Sequence, residues 1–242
     1  MAGMRVLVVL WTVWAAMLFG GYALGRPDAG GRRLPTWARI GSSTVLVLAA
    51  WVGYGSLRGG QLAGLALLLA GGMSLGLLGD LFMAGLLPVS QPVLGGMAAF
   101  ALGHVAYCVA FLGLGRLLAQ PPALRLAAWA VWLAVGLLGW YVVVFRGARQ
   151  GEHSSLHWAA LPYSLLLAST AGLANGLALL RPVFLFTGLG GALFLISDML
   201  IAWQLFRQAR WRWLDDAIWL TYGPAQMLIV YSVWLAARAL GA

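Results

Sequence analysis

Two acidic residues, Asp80 and Asp198, lie inside long apolar stretches, and no Arg or Lys lies near the middle of either stretch. A charged side chain at the centre of a membrane helix costs at least about 2.5–3.5 kcal/mol, so a carboxyl group kept there indicates function. Two carboxyl groups in one cavity can divide acid–base chemistry, because one donates a proton while the other stabilises a cation or activates water. Asp80 and Asp198 are therefore the candidate catalytic residues.

The spacing around each aspartate predicts that both point into the interior of a helix bundle. Residues three or four positions apart share a helical face: Gly72, Gly76 and Ala84 with Asp80, and Gly191, Phe194 and Ala202 with Asp198. Small residues on such a face allow close packing of membrane helices. The two aspartates also lie in similar local sequences, which indicates a faint internal repeat four spans apart.

Polar side chains near the aspartates predict a larger site. His104 and Tyr107 are three residues apart, Tyr222 and Gln226 are four apart, and Ser197 directly precedes Asp198. We predict that these five residues support the aspartates. The spacings of three and four place each of the two pairs on one helical face. The alternative is that they only form hydrogen bonds between helices, which is a common role of polar residues in membranes.

The composition places these residues in a membrane. Of 242 residues, 62% are hydrophobic and 9% are charged, whereas soluble domains have about 25% charged residues. This excludes a soluble domain, a disordered chain and a nucleic-acid-binding domain. Eight segments have the roughly 20 residues needed to cross a bilayer: 5–24, 39–57, 61–87, 93–115, 123–145, 156–180, 183–206 and 217–240. We predict one integral membrane domain over 1–242, an all-α polytopic bundle of about eight transmembrane helices.

Eight spans predict that both termini lie on one side of the membrane, which we call side A. The opposite side B carries the loops after the odd-numbered spans and nine of the 15 arginines, so the positive-inside rule favours side B as cytoplasmic. Both aspartates fall in the side-B half of their spans. The first segment is too long for the apolar part of a signal peptide and is predicted to be a retained span. The expected location is the bacterial inner membrane for a prokaryotic protein and the endoplasmic reticulum for a eukaryotic one.

The candidate residues lie in four runs: Leu78-Gly79-Asp80, Phe100 to Tyr107, Gly191 to Ala202 and Tyr222 to Ile229. The third run is the most specific and is similar to the pattern Gly-Ala-x-x-Phe-x-x-Ser-Asp-x-x-Leu/Ile-Ala. Together the runs resemble the YhhN-like lysoplasmalogenase family of multi-pass alkenyl ether hydrolases, over about 60–229. The last run departs from the family's Tyr-Tyr-x-Ala-Gln, because glycine and proline follow its tyrosine.

The resemblance implies hydrolysis of the vinyl ether bond of a lysoplasmalogen, an alkenyl glycerophosphocholine or glycerophosphoethanolamine. The products are a fatty aldehyde and a glycerophospho-base. This reaction needs a proton donor and a group that stabilises the resulting cation, which suits Asp80 and Asp198 without a metal or organic cofactor. Loop arginines such as Arg149 or Arg212 are expected to hold the substrate phosphate. The expected partners are this lysophospholipid and membrane lipids, with no nucleic acid.

Two other functions are compatible with the same residues. Repeated helices with intramembrane acids also occur in secondary transporters, so a proton-coupled small-molecule transporter is the main alternative. A non-catalytic membrane scaffold is a third. Glu152, His153 and His157 have a spacing found in metal sites, but no further ligand lies nearby in the sequence, so we predict no metal site.

Overall fold

The computed structural model describes residues 2–28, 31–147 and 155–241, and these residues contain eight helical rods. The rods are α1 (Ala2–Ala15, continued by the π-helical turn Ala16–Gly20 and the short helix Gly21–Leu24), α2 (Thr36–Leu57), α3 (Ala63–Met83), α4 (Pro92–Leu117), α5 (Pro122–Gly139, continued by the π-helical turn Trp140–Phe145), α6 (Ser155–Leu180), α7 (Leu185–Arg207, preceded by the 3-10 turn Pro182–Phe184) and α8 (Leu214–Leu240). No strand occurs within these described ranges. The predicted all-α bundle is confirmed.

The ends of several helices follow from local backbone chemistry. Pro92 and Pro122 stand in the first turns of α4 and α5, where the missing proline N–H has no helical acceptor. Gln208 ends α7 in the left-handed conformation, with φ 50. Gly241 ends α8 in the same way, with φ 67, and this conformation satisfies carbonyl groups of the last turn.

Among the described residues, seven helices, α1 to α7, are long and apolar enough to cross a membrane. The eighth, α8, is longer than most of them, but it carries Asp215 and Asp216 in its first turn and Arg238 in its last. Its buried residues include Tyr222 and Gln226. The helix that the sequence predicted as the eighth span therefore buries both polar and apolar side chains in the interior of the bundle.

The outer surface of the bundle is apolar. Leu126, Val131, Leu138 and Phe186 are each more than half exposed, as are several other aliphatic and aromatic side chains. A contiguous surface of this kind is unfavourable in water and is the surface that lipid chains contact. The exterior therefore agrees with the predicted membrane setting.

α8 joins the two halves of the bundle. It packs against α7 on one side and against α2 and α3 on the other, while α6 packs against α4, α5 and α7. Since Asp80 belongs to α3 and Asp198 to α7, α8 lies between the two helices that carry the aspartates. This arrangement lets both carboxyl groups face one interior space.

The small-residue face of α3 makes this packing close. A Cβ atom at Gly76 would lie 2.6 Å from Gln226 Nε2, and one at Gly79 would lie 2.7 Å from the Phe100 ring. A Cβ atom at Gly72 would overlap the Tyr107 ring. As predicted, the face that carries Asp80 is buried against neighbouring helices.

Candidate active site

Both aspartates line one cavity of about 290 Å³ in the half of the bundle that carries the loops 25–35 and 208–213. Its polar lining comes from the loop before α2 and from α2, α3, α7 and α8. The eight residues are Arg32, Arg39, Asp80, Asp198, Gln204, Asp215, Trp219 and Tyr222. Phe100, Met83 and Leu205 add apolar walls. A cavity with a few convergent polar groups and apolar walls is the usual form of a small-molecule site.

Asp80 is surrounded by hydrogen-bond donors. Its side chain is 3% exposed, and the Ser43 hydroxyl donates to its Oδ2 at 2.5 Å. The Tyr222 hydroxyl is a further hydrogen-bond partner of this carboxyl group, and the Arg39 guanidinium interacts with the carboxyl group electrostatically. Buried carboxyl groups require such partners, because an unpaired one carries the full desolvation cost. Ser43, on α2, is a supporting residue that the sequence analysis missed.

A chain of hydrogen bonds leads from α4 through α8 to Asp80. The Tyr107 hydroxyl donates to Gln226 Oε1 at 2.9 Å, and Gln226 Nε2 donates to the Tyr222 hydroxyl at 3.1 Å. Since Tyr222 accepts from Gln226, its own proton is directed towards Asp80, with which it interacts. The structure thus brings three of the predicted supporting residues to this aspartate.

Asp198 has a different environment from Asp80. It is partly exposed to the cavity, and the Tyr163 hydroxyl of α6 donates to its Oδ2. The neighbouring Ser197 hydroxyl donates instead to the Ile218 carbonyl of α8 at 3.1 Å. Ser197 therefore joins α7 to α8, whereas Tyr163, which the sequence analysis did not select, is the residue that orients Asp198.

His104 lies behind the cavity wall. It is 1% exposed, and its Nδ1 lies 2.8 Å from the Thr170 hydroxyl. Its ring packs edge-on against Phe194, with the centroids 4.3 Å apart, and Phe194 in turn contacts the Tyr222 ring. The structure therefore places His104 against the aromatic residues beside the site, with the Thr170 hydroxyl as the partner of its imidazole.

Two arginines of the described residues line the cavity, and neither was expected at the phosphate. Arg149 lies outside the described residues. The exposed Arg212 places its guanidinium carbon 5.3 Å from the Trp213 ring centroid and does not line the cavity. Arg32 and Arg39 do line it. The sequence signal for this pair was the arginine-rich loop between the first two segments.

This loop is tied to the start of α8 by a buried carboxylate. Asp216, 1% exposed, accepts the backbone N–H of Arg33 with each oxygen at 3.1 Å and that of Leu34 at 3.0 Å. Arg32, next to this anchor, lies with its Nε 3.5 Å from Asp215 Oδ2. The anchor fixes the loop over the polar end of the cavity.

An apolar crevice continues from the cavity at Asp198. It is lined by residues of α4 to α7 and by Met83 of α3, and it shares five residues with the polar cavity: Met83, Phe100, Asp198, Ile201 and Leu205. Its other walls are almost entirely apolar, including Met97, Leu167 and Ala202. Asp198 thus stands where a polar compartment meets an apolar one.

Within the described residues, no group of three or more His, Cys, Asp or Glu side chains is placed to hold a metal ion. Of the three residues with metal-site spacing in the sequence, Glu152 and His153 lie outside the described residues. His157, which is described, packs on the Phe206 ring with the centroids 4.7 Å apart.

The fold and the site define a helical membrane protein with two carboxyl groups in a cavity between its helices. The sequence model of the YhhN family matches residues 36–233, so the chain belongs to the YhhN family and is an integral multi-pass membrane protein. Lysoplasmalogenase TMEM86B of Sus scrofa is 36% identical over 148 residues, which cover 59% of this chain and 54% of that protein. The match thus spans about half the length of this curated relative. No solved structure shows a significant match.

Proposed function

We propose that the protein hydrolyses the vinyl ether bond of lysoplasmalogens. The observation that carries this proposal is a pair of carboxyl groups in one polar cavity, with Asp80 inside it and Asp198 where it meets an apolar crevice. A lysoplasmalogen has the same polarity, because its vinyl ether separates a phosphorylated glycerol from a hydrocarbon chain. The name of the curated relative supports the same substrate class.

The reaction requires one proton donor and one water molecule. Protonation of the β-carbon of the alkenyl chain converts the double bond into an oxocarbenium ion, in which the α-carbon carries the positive charge. Water adds to the α-carbon and loses a proton to a base, which gives a hemiacetal. The hemiacetal collapses to a fatty aldehyde and the free hydroxyl of the glycerophospho-base. The donor regains its proton overall, so two carboxyl groups suffice.

The order of groups along the cavity suggests which carboxyl does what. Along the substrate, the chemical groups follow in the order phosphate, glycerol, ether oxygen, α-carbon, β-carbon and hydrocarbon chain. Asp198 lines both the polar cavity and the apolar crevice, whereas Asp80, Arg32 and Arg39 line the polar cavity alone. A substrate with its chain in the crevice would therefore have its phosphate in the polar cavity. A substrate aligned in this direction places its β-carbon nearest Asp198 and its α-carbon nearest Asp80.

We therefore assign proton donation to the β-carbon to Asp198. Asp80 stabilises the oxocarbenium ion and accepts the proton of the attacking water. The donors around Asp80, Ser43 and Tyr222, together with the nearby Arg39, suit a group that acts as a carboxylate. The hydrogen bond from Tyr163 leaves the second oxygen of Asp198 to face the substrate. Neither the family nor the relative's name supports the transporter considered above.

Aldehyde release by the purified protein tests this function. The full chain in detergent or nanodiscs is incubated with a lysoplasmalogen and, as control, with the saturated alkyl ether of the same headgroup and chain length. We expect stoichiometric aldehyde and glycerophospho-base from the first lipid and none from the second. A folded protein that releases no aldehyde, but moves protons with a solute across liposomes, would replace the hydrolase with a transporter.

A further inference from the structure

Arg39 is a cation of the cavity that lacks a carboxylate partner within ion-pair distance in the described part of the chain. Its Nη2 donates to the Thr36 hydroxyl at 2.8 Å, and its guanidinium carbon lies 5.4 Å from the Trp219 ring centroid. Its Nε is buried and has no hydrogen-bond partner among the described residues. A buried donor without a partner is unfavourable unless a ligand satisfies it.

Arg32 supplies a second guanidinium at the same end of the cavity. Its Nε lies 3.5 Å from Asp215 Oδ2 and 3.8 Å from Asp28 Oδ2, but it donates no hydrogen bond to either. Asp215 also accepts from Gln204 Nε2 at 3.0 Å, so this acid is shared between two partners. The polar end of the cavity thus has more donors than the acceptors around it satisfy.

Both guanidinium groups are held in place before a ligand arrives. Arg39 lies in the first turns of α2 and stacks on Trp219, while Arg32 precedes the loop residues that Asp216 anchors. Guanidinium groups bind phosphate through paired N–H donors, and a fixed orientation reduces the entropy lost on binding. A phosphate oxygen would also meet positive charge here, since Arg32 and Arg39 line the polar cavity and not the apolar crevice.

We propose that Arg39 and Arg32 bind the phosphate diester of the lipid substrate and so set the direction in which it lies along the cavity. This proposal rests on the hydrolase function and adds to it the residues that recognise the headgroup. It replaces Arg149 and Arg212, which the sequence suggested for this role. With the phosphate at Arg39, the vinyl ether reaches the two carboxyl groups and the chain enters the crevice beyond Asp198.

Two substrates that differ only in the phosphate test the proposal. The first is a lysoplasmalogen, and the second is the corresponding 1-alkenylglycerol, which has the vinyl ether and chain but no phosphate. We expect R39Q to lower kcat/KM for the phospholipid, mainly through KM, by at least about 30-fold more than it lowers kcat/KM for the alkenylglycerol, whose loss reports only the effect of Arg39 on Asp80. R39K, which keeps the charge but not the paired donors, should fall between R39Q and wild type.

Two further arginine variants sharpen the comparison. R210Q removes an exposed arginine from the same loop region as Arg212 and serves as the control, with both substrates unaffected. R212Q tests the arginine that the sequence favoured. Equal losses on both substrates in R39Q would show that Arg39 acts on the carboxyl groups instead, and a phosphate-selective loss in R212Q alone would move the site there. Either result overturns the proposal.

A binding measurement keeps this test independent of catalysis. The non-cleavable saturated ether lysophospholipid should bind wild type at least about 30-fold more tightly than R39Q, even if no vinyl ether is ever cleaved. Binding should persist in excess inorganic phosphate at constant ionic strength, because the hydrocarbon chain contributes to the lipid's affinity. Displacement by inorganic phosphate would indicate a site for free anions and would contradict the assignment to the lipid headgroup.

Discussion

Tyr163 provides a sharp test of how Asp198 is positioned. In the described residues, the Tyr163 hydroxyl is the side-chain group that donates a hydrogen bond to Asp198. Y163F deletes this oxygen and keeps the ring between α6 and α7, so the packing of the two helices is preserved. As Asp198 gives up its proton, the hydrogen bond from Tyr163 becomes one to a charged group, which contributes about 1.5–3 kcal/mol. This corresponds to a decrease of about 10- to 100-fold in kcat when the bond is removed.

The assay is steady-state aldehyde release with a lysoplasmalogen, and kcat and KM are determined separately. We expect kcat to fall and KM to change little, because Tyr163 positions the proton donor and makes no contact with the headgroup arginines in the structure. Y54F is the matched control, since Tyr54 packs on Trp51 of α2 and does not line the cavity. Wild-type kcat in Y163F, or an equal loss in Y54F, would refute this role of the Tyr163 hydroxyl.

Three other predictions concern the anchor of the loop, the packing of α3 and the slow step. D216A should lower the free energy of unfolding by about 1–3 kcal/mol, because it leaves the buried N–H of Leu34 without an acceptor. It should also raise KM, and unchanged thermal unfolding would count against the anchor. G76A should destabilise the protein by about 1–3 kcal/mol, because its Cβ atom would overlap Gln226. G71A should not destabilise it, because nothing lies within 4 Å of that Cβ position. Equal thermal unfolding of the two variants would argue against this packing. Solvent deuterium should clearly lower kcat, because carbon protonation limits the rate, and equal rates in both solvents would place the slow step elsewhere.

Periodicity predicted the half of the site around Asp80. The four-residue spacing of Gly72, Gly76 and Asp80 places all three on one face of α3, and small residues there bring α8 close. Tyr222 and Gln226 are four residues apart on α8, so one contact between the helices brings both to the aspartate. This part followed from the sequence because the spacing of residues along one helix fixes which of them share a face.

The half of the site around Asp198 was less predictable. Tyr163 looks like any tyrosine of an apolar helix, and its contact depends on how α6 is rotated relative to α7. Arg39 was placed at the very edge of a predicted span, yet it lies within α2, which begins at Thr36, and faces the cavity. His104 had a polar neighbour at the right spacing, but its partner is Thr170 on a helix that no spacing rule selects. The rotation of each helix about its own axis and the residue at which it begins decide these positions.

The central claim is that Asp80 and Asp198 perform the chemistry, and their asparagine variants test it most directly. D80N and D198N keep the shape of each side chain but remove its ability to transfer a proton at neutral pH. General acid–base catalysis contributes about 100- to 10,000-fold, so each variant should lose at least about 100-fold in kcat for aldehyde release while its thermal unfolding stays close to that of wild type. Turnover near the wild-type rate in both folded variants would contradict the account and leave the aspartates with a structural or ion-conducting role.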